Sequence, residues 1–404
     1  MSVPFRTRYS RVSAALSLLV GTVLVIGCAR SGVATMPGLS TDGAAHRQIG
    51  SVPECTPLYS FQSDPDGSLP AAGVVDVKGV LYGTTTTGGT SNLGTVYSVT
   101  SSGTEKVLHS FTGAPDGESP YANLIDVGGT LYGTTAGGGA TNEGTVFKIS
   151  PKTGAVSIVY SFKGDPDGDG PSAGLIKVGG VLYGTTVGGG TSSNGTVFSV
   201  TTSGTENVLH SFANGSDGAT PQASLVYFKG AFFGTTQNGG ANGYGTVFKV
   251  TRTGGETVLH TFAGSDGATP LGGLVAVSGA LYGTTANGGA NGQNGTGTAY
   301  KITAGGQYTL IHSFGASGDG ADPRGNLIDV GGTLYGTTLG GGSLGLGSVF
   351  ALTTSGADSL VCSWSSNNAG AGPEAGLTDV NGTLYGTTEG GGSEPAGTVF
   401  STPL

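Results

Sequence analysis

Three aspartates at alternate positions form the best candidate for metal binding in the sequence. The segment "DPDGDG" places Asp165, Asp167 and Asp169 before Gly170, which reproduces the start of a D-x-D-x-D-G calcium loop. Calcium prefers several carboxylate and carbonyl oxygens, so this spacing is chemically suitable. Ile176 stands where an EF-hand would need its bidentate glutamate, so the match is partial. The segment therefore leaves calcium open as a ligand, against the alternative of a structural turn.

The Asp-Gly pair recurs along the chain, each time four residues before a proline: Asp66, Asp116, Asp167, Asp217, Asp266 and Asp319. Aspartate can cap nearby backbone amides and glycine can adopt unusual φ angles, which together favour a tight turn. A second set of aspartates precedes a glycine-containing hairpin turn: Asp76, Asp126, Asp329 and Asp379. Because Lys177 and Ala276 replace this aspartate elsewhere, the pattern indicates turn capping rather than chemistry.

Four of the five histidines occupy one position in a recurring segment: His109, His210, His260 and His312. Tyr160 and Cys362 stand at the same position in other copies, so it accepts any medium-sized, partly apolar side chain. This favours packing between repeats over metal binding. The sequence also has no Gly-x-Ser-x-Gly elbow and no metalloprotease motif, and we therefore lean against an enzyme.

An internal repeat must position all of these residues. The glycine of a [YF]GTT motif recurs at intervals of 49 to 53 residues, at Gly83, Gly133, Gly184, Gly234, Gly283, Gly336 and Gly386. Each copy contains four short runs rich in β-branched and aromatic residues, separated by Gly, Asn, Asp and Ser clusters, which predicts antiparallel strands. Seven such copies predict an all-β fold, a seven-bladed β-propeller over residues 55–404.

The phase of the repeat predicts how the propeller closes. The first strand-like run, residues 57–61, corresponds to an outer fourth strand, whereas the last copy has only three runs. Pairing this N-terminal outer strand with the C-terminal three-stranded blade would close the ring and remove exposed sheet edges. An open solenoid would gain nothing from this arrangement.

The repeat also resembles a known family. The motif "LYGTT.GGG....GTVFK", followed by "G....VLHSF.G..DG..P..LI", is similar to the repeat of the choice-of-anchor tandem repeat GloVer-containing proteins. The resemblance covers all seven copies, although "WSSNNAGAGPEAG" before the last copy lacks the Asp-Gly pair. It implies a bacterial exported protein with propeller-like repeats and an envelope anchor, and it implies no catalytic residues.

Ligand selectivity is expected where the copies differ on one face of the propeller. The residue after the loop proline and the residue after GTT both vary, and both should lie near the mouth of the central channel. From these positions and the adjacent loops, the residues nominated for ligand binding are Tyr121, Gln222, Gln237, Tyr244, Arg324, Glu374 and Glu389. The alternative is that unconstrained loop positions vary freely, with Arg324 and Glu374 forming a weak exposed ion pair.

The N-terminus has the form of a lipoprotein signal peptide. Residues 1–27 join three arginines to an apolar run, and "VIGC" ends at Cys28, which would carry the lipid. Residues 28–54 lack periodicity and predict a flexible tether. We therefore expect an exported protein anchored by lipid in the cell envelope, with the outer membrane favoured by Ala29. An ordinary signal peptide or an uncleaved anchor, with a chance cysteine in either case, is the alternative.

Composition argues against a nucleic-acid partner, because the net charge is −9 and no basic cluster is present. We expect a monomer. Cys55 and Cys362 lie far apart in the sequence, and although export permits a disulfide, a buried thiol is the favoured interpretation for Cys362.

Three functions remain open from the sequence. The first is a non-catalytic binding or scaffold module for a polysaccharide or an envelope protein. The second is a metal-dependent propeller enzyme of the lactonase or lyase type, and the third is a purely structural envelope protein. The lack of a nucleophile motif and of a histidine near the axis favours the first.

Overall fold

Seven four-stranded antiparallel sheets build the folded part of the chain. The structure is a computed structural model that describes residues 52–290, 292, 295–316 and 319–404. The signal peptide, Cys28 and nearly all of the predicted tether lie outside these residues. Each sheet corresponds to one sequence repeat, so the predicted seven-bladed β-propeller is confirmed. No helix in the described ranges is long and apolar enough to cross a membrane.

Each blade has four strands from the axis outward, and blades 1 to 7 follow the order of the repeats. The innermost strands are Val75–Val77, Ile125–Asp126, Ile176–Val178, Val226–Phe228, Val275–Val277, Ile328–Val330 and Thr378–Val380. The second strands are Val80–Thr85, Leu131–Thr135, Val181–Thr186, Ala231–Thr236, Ala280–Thr285, Thr333–Thr338 and Thr383–Thr388. The third strands are Thr95–Thr100, Thr145–Ile149, Thr196–Thr201, Thr246–Thr251, Thr298–Ile302, Ser348–Thr353 and Thr398–Pro403. The outer strands are Glu105–Ser110, Val156–Ser161, Glu206–Ser211, Glu256–Thr261, Tyr308–Ser313, Asp358–Ser363 and Thr56–Ser60.

The last outer strand comes from the N-terminus. Thr56–Ser60 pairs antiparallel with Thr398–Pro403 and completes blade 7. The closure predicted from the phase of the repeat is therefore confirmed. A short 3-10 turn, Asn367–Ala369, occupies the loop in which the Asp-Gly pair is missing.

The expectation of a buried thiol at Cys362 is wrong, because Cys55 and Cys362 form a disulfide. Glu54 forms a parallel bridge with Ser363, and the N–H of Ser363 donates to the carbonyl of Pro53 at 3.0 Å. The segment before the closing strand thus runs beside the outer strand of blade 6, which brings the two cysteines together. Two residues assigned to the tether belong to this pairing.

The GTT motif recurs because each of its residues has a separate packing role, as blade 2 illustrates. A Cβ atom at Gly133 would lie 2.7 Å from Cζ of Phe147, so the aromatic ring requires a glycine there. Thr134 Oγ1 donates to the carbonyl of Ala173 in blade 3 at 3.2 Å. Thr135 Oγ1 hydrogen-bonds to a threonine at the start of the third strand at 2.8 Å. Buried hydroxyls therefore keep partners within and between blades.

The hairpin between the two inner strands confirms the turn-cap interpretation of its aspartates. In blade 2, Gly128 and Gly129 have φ angles of 64° and 88°, as a two-residue turn of this type requires. The N–H of Gly129 donates to Oδ1 of Asp126 at 2.7 Å. The same cap forms at Asp76, Asp329 and Asp379.

The hydrophobic core lies between adjacent blades. Tyr132, Val146 and Phe162 of blade 2 pack with Leu175 and Phe198 of blade 3. The rings of Phe162 and Phe198 meet edge to face with centroids 5.0 Å apart. Burial of a phenylalanine side chain contributes about 1.5–3 kcal/mol, so this packing is the main force that holds neighbouring blades together. The loops at the blade ends are thereby fixed on a rigid ring.

Candidate functional site

The variable residues that follow the loop proline converge around the axis at one end of the propeller. A cavity of about 250 Å³ is lined by Ala71, Tyr121, Ser172, Gln222, Leu271, Arg324 and Glu374. A second cavity of about 90 Å³ shares most of this lining and adds Asn123, Ser224 and Asn326. We call these two spaces the axial cavity. Each blade contributes one residue of the ring at its mouth.

One side of the axial cavity is held by an ion-pair network centred on Arg324. Its Nη1 donates to Glu374, while Nε and Nη2 donate to the carboxylate of Asp322 at 3.1 and 2.8 Å. The exposed fractions of Arg324, Asp322 and Glu374 are 34, 27 and 23 %, so the network is half-buried. Burial raises the pKa of Glu374, the charge of Glu389 adds to this rise, and Arg324 opposes it. Two carboxylates therefore share one cation, and the charge of a third, Glu389, acts on Glu374.

Asp322 is not among the residues nominated from the sequence. It precedes the loop proline, where the other copies have Leu, Ser, Thr or Gly, so copy 6 alone places a carboxylate there. Its distance of two residues from Arg324 allows the bidentate contact. The departure of one copy from the repeat was the available signal.

The remaining side of the axial cavity is neutral. Gln222 Nε2 donates to Oε1 of Gln237 at 2.8 Å, which fixes both amide groups. Tyr121 is 48 % exposed, the largest aromatic surface in the ring. Burial, followed by the charges of Glu389 and Glu374, raises the pKa of Tyr121. The structure thus brings six of the seven nominated residues to this end of the axis.

The seventh nominated residue, Tyr244, does not line the axial cavity. It is partly buried and packs against the cluster that contains Phe262 and Tyr300, between blades 4 and 5. Its carbonyl accepts a hydrogen bond from the N–H of Thr269 at 2.9 Å. The structure therefore places Tyr244 at a blade interface.

The Asp-Gly aspartates organise the turns that follow the outer strands. Asp167 Oδ2 accepts hydrogen bonds from the N–H of Lys163 at 3.0 Å and from the hydroxyl of Tyr160 at 2.9 Å. Similar contacts join Tyr59 to Asp66 and His109, His260 and His312 to Asp116, Asp266 and Asp319. This pairing is not among the contacts predicted from the sequence. Its signal was that Cys362 replaces His or Tyr in the copy that also lacks Asp-Gly.

The other two aspartates of the calcium motif have different neighbours. Asp165 Oδ2 accepts a hydrogen bond from Ser193 at 2.7 Å. Burial, together with the hydrogen bond and charge of Glu143, raises the pKa of Asp169 to about 6. Asp165 and Asp167 line a groove between blades 2 and 3, whereas Asp169 faces Glu143. The three side chains do not form one close group.

One group of three possible metal ligands occurs in the part of the chain that the structure describes. His312 lies between Asp319, at 3.1 Å from Nε2, and Asp358, at 3.7 Å from Nδ1. The hydrogen bond to Asp319 raises the pKa of His312, with burial opposing and both aspartate charges adding to the rise. This geometry suits a charged imidazolium between carboxylates. The group lies on the outer strands of blades 5 and 6, away from the axial cavity.

Carboxylates at the start of several outer strands face the preceding blade. Burial, followed by the charge of an Asp-Gly aspartate, raises the pKa of Glu105, Glu206 and Glu256 to about 7. At Glu206 this aspartate is Asp167, while Lys163 and Tyr160 lower the pKa. These glutamates therefore make the packing of the blades sensitive to pH.

Substitution of Glu206 by glutamine is expected to stabilise the protein at about pH 8 and to change little at about pH 5. The pKa of Glu206 in the folded protein lies above its ordinary value of 4.5, so folding favours the protonated side chain. The stabilising contribution of this residue is therefore fully present below pH 4.5 and is lost as the pH rises through about 7. Allowing for solvent screening, the gain is roughly 1 kcal/mol. Denaturant unfolding at both pH values measures it. Glu394→Gln, at an exposed carboxylate, is the control, and equal effects of both variants would contradict the prediction.

The fold and the axial cavity define a class: a seven-bladed β-propeller whose repeats share a scaffold and differ at the mouth of the axis. The chain belongs to the Gloeobacter/Verrucomicrobia repeat family, which matches residues 27–239 and 227–404. The resemblance seen in the repeat motif is therefore confirmed. A comparison with curated proteins finds no match.

Solved structures share the fold at low sequence identity. A streptogramin B lyase is 15 % identical, with 85 % of this chain and 96 % of that chain covered and a TM-score of 0.58. An oligogalacturonate lyase in complex with manganese is 11 % identical, with 81 and 86 % covered and a TM-score of 0.52. An oligogalacturonate lyase from Vibrio parahaemolyticus is also 11 % identical, with 84 and 90 % covered and a TM-score of 0.50. At these identities the likeness concerns the fold alone.

Proposed function

We propose that this protein is a non-catalytic binding or scaffold module of the cell envelope, with a polysaccharide ligand at the axial cavity. The observation that carries the proposal is the convergence of seven divergent ring positions on one cavity. Varied side chains on a rigid framework are the usual construction of a binding surface.

The chemistry of the ring supports a saccharide ligand. The exposed face of Tyr121 offers an apolar platform with a hydroxyl at its edge. The amides of Gln222 and Gln237 and the guanidinium of Arg324 are already held by hydrogen bonds, so less side-chain freedom is lost on binding. Amide, guanidinium and carboxylate groups together supply both donors and acceptors for sugar hydroxyls.

A metal-dependent lactonase or lyase is the alternative, and the positions of the described residues favour binding over catalysis. The lining of the axial cavity contains no histidine. The group of His312 with two aspartates lies at the outer strands instead. Turnover of a bound saccharide that depends on added metal would overturn the non-catalytic proposal.

The proposed location is extracytoplasmic. A lipid on Cys28 would anchor the protein in the outer membrane. The Cys55–Cys362 disulfide supports this location because such bonds persist in oxidising compartments. Mass spectrometry of the mature N-terminus tests the anchor: a diacylglyceryl group on Cys28 is expected. A mature N-terminus at another residue would contradict the anchor.

Binding is tested by the thermal unfolding of the full-length protein in detergent with a panel of envelope and plant polysaccharides. A ligand at about a hundred times its dissociation constant should add roughly 2.7 kcal/mol of stability. We expect Tyr121→Ala and Gln222→Ala each to weaken binding about tenfold, which corresponds to about 1.4 kcal/mol. Both side chains are exposed, so the fold should tolerate the changes.

The control is Leu310→Ala, on the outer strand of blade 5 and 39 % exposed. If no polysaccharide raises the melting temperature, the saccharide proposal fails and a protein partner becomes the next hypothesis. Calcium is included in the same panel. A rise with calcium that disappears in Asp165→Asn would assign a metal site to the segment of Asp165, Asp167 and Asp169.

A further inference from the structure

The ring around the axial cavity is interrupted at blade 1. The ring residue there is Ala71, the smallest side chain of the seven. Its neighbours are Tyr121 from blade 2 and Glu374 from blade 7, and Glu389 is close enough for its charge to act on both of them. The space above Ala71 therefore has an aromatic ring on one side and carboxylates on the other.

The carboxylates beside this space carry an excess of negative charge. Arg324 donates hydrogen bonds from Nε and Nη2 to Asp322 and from Nη1 to Glu374. Its single positive charge is therefore shared between two carboxylates. Among the described residues, no ion pair involves Glu389. One guanidinium against Asp322, Glu374 and Glu389 leaves two unbalanced negative charges at the cavity. The chain as a whole also carries a net charge of −9.

This distribution discriminates between ligands by charge. An acidic sugar would place a like charge beside Glu374 and Glu389, which opposes binding. A neutral sugar would remove water from these carboxylates without supplying a compensating charge. A protonated amine supplies three donors and one positive charge, and it is also attracted to the face of an aromatic ring such as Tyr121.

We propose that the ligand of the axial cavity is an amino sugar whose protonated amine lies above Ala71, between the ring of Tyr121 and the carboxylates of Glu374 and Glu389. The inference rests on the proposed function and adds the charge class of the saccharide. The neutral side of the cavity supports a sugar over a lysine-rich peptide, because Gln222, Gln237 and Ser172 present groups that bond hydroxyls.

The experiment measures calorimetric binding of four oligomers of equal length to the full-length protein in detergent, at a pH that keeps amines charged. The probes are a glucosamine tetramer, an N-acetylglucosamine tetramer, an oligogalacturonate and an oligolysine. We expect the glucosamine tetramer to bind at least about tenfold more tightly than the others, with affinity falling as salt rises.

Two variants test the location of the amine. Glu389→Gln should weaken binding of the glucosamine tetramer about tenfold, because it removes one uncompensated charge. Ala71→Leu should abolish binding of the same tetramer by filling the space. Glu394→Gln makes the same chemical change at an exposed residue of the same loop and should leave the affinity unchanged. Thermal unfolding of each variant establishes that the fold is intact.

The possible failures are distinguishable. Equal binding of the glucosamine and N-acetylglucosamine tetramers, unaffected by Glu389→Gln, would overturn the amine inference and keep the saccharide proposal. Preferred binding of oligogalacturonate would overturn the inference in the same way. Binding of oligolysine alone would overturn the saccharide class. No binding of any probe, in a protein that also fails with the polysaccharide panel, would overturn the proposed function itself.

Discussion

Removal of the Cys55–Cys362 disulfide is expected to lower the free energy of unfolding by about 2–5 kcal/mol. The two cysteines are 307 residues apart in the sequence, so the bond encloses nearly the whole propeller. A long enclosed loop restricts the unfolded chain strongly, and this restriction is lost when the bond is removed. Denaturant unfolding of the double variant Cys55→Ser, Cys362→Ser measures the change against the oxidised wild type.

The double variant avoids an unpaired thiol at either fully buried position. Reductant should destabilise the wild type and leave the double variant unchanged, which separates the bond from the effect of the substitution. Equal stability of the oxidised and reduced wild type would contradict the prediction.

The disulfide shows where sequence reasoning reached its limit for the fold. Strand number and closure followed from the repeat, because Thr56–Ser60 carries the pattern of an outer strand and its phase assigns it to blade 7. Cys55 precedes that pattern, in a segment without periodicity. Its position is set by the pairing of Pro53 and Glu54 with Ser363, which is a contact between distant parts of the chain. No local sequence signal encodes that contact.

The candidate site was predictable to the extent that it follows the register of the repeat. The residue after the loop proline keeps its register in every copy, and all seven such residues line the axial cavity. Tyr244 lies further into a loop of variable length, where the register must be counted from the other end. Counted back from the third strand, it aligns with Leu93 and Leu346, which both pack against the core. That alignment indicates a blade interface.

The pKa shifts and ion pairs of the site could not be predicted from the sequence, for a different reason. The pKa of Glu374 depends on its burial and on the nearby charges of Glu389 and Arg324, which come from three different loops. The repeat register indicates that these loops meet, but it does not give the distances or the burial on which the pKa depends. The contact of Asp322 with Arg324 likewise depends on a distance that the repeat register does not give.

Substitution of Phe61 by alanine is expected to destabilise the protein by about 3–5 kcal/mol, although the residue lies only one position beyond a terminal strand. Phe61 is fully buried and its ring meets that of Tyr97 edge to face, with centroids 4.9 Å apart. It packs in a cluster that joins residues from both ends of the chain, including Val74 and Val399. The closing strand is thus attached by packing as well as by hydrogen bonds.

The matched control for Phe61→Ala is Phe212→Ala, at the equivalent position between blades 3 and 4. Phe212 is also fully buried, and its ring meets that of Phe248 at 5.1 Å. If the ring unfolds as one cooperative unit, denaturant unfolding should give the two variants equal losses of stability. If the N-terminal strand opened separately from the other blades, Phe61→Ala would cost much less than Phe212→Ala. Equal losses would mean that the closing strand is as integral to the ring as any internal strand, because Phe61 joins Tyr97 of blade 1 to Val399 of blade 7 as Phe212 joins blades 3 and 4.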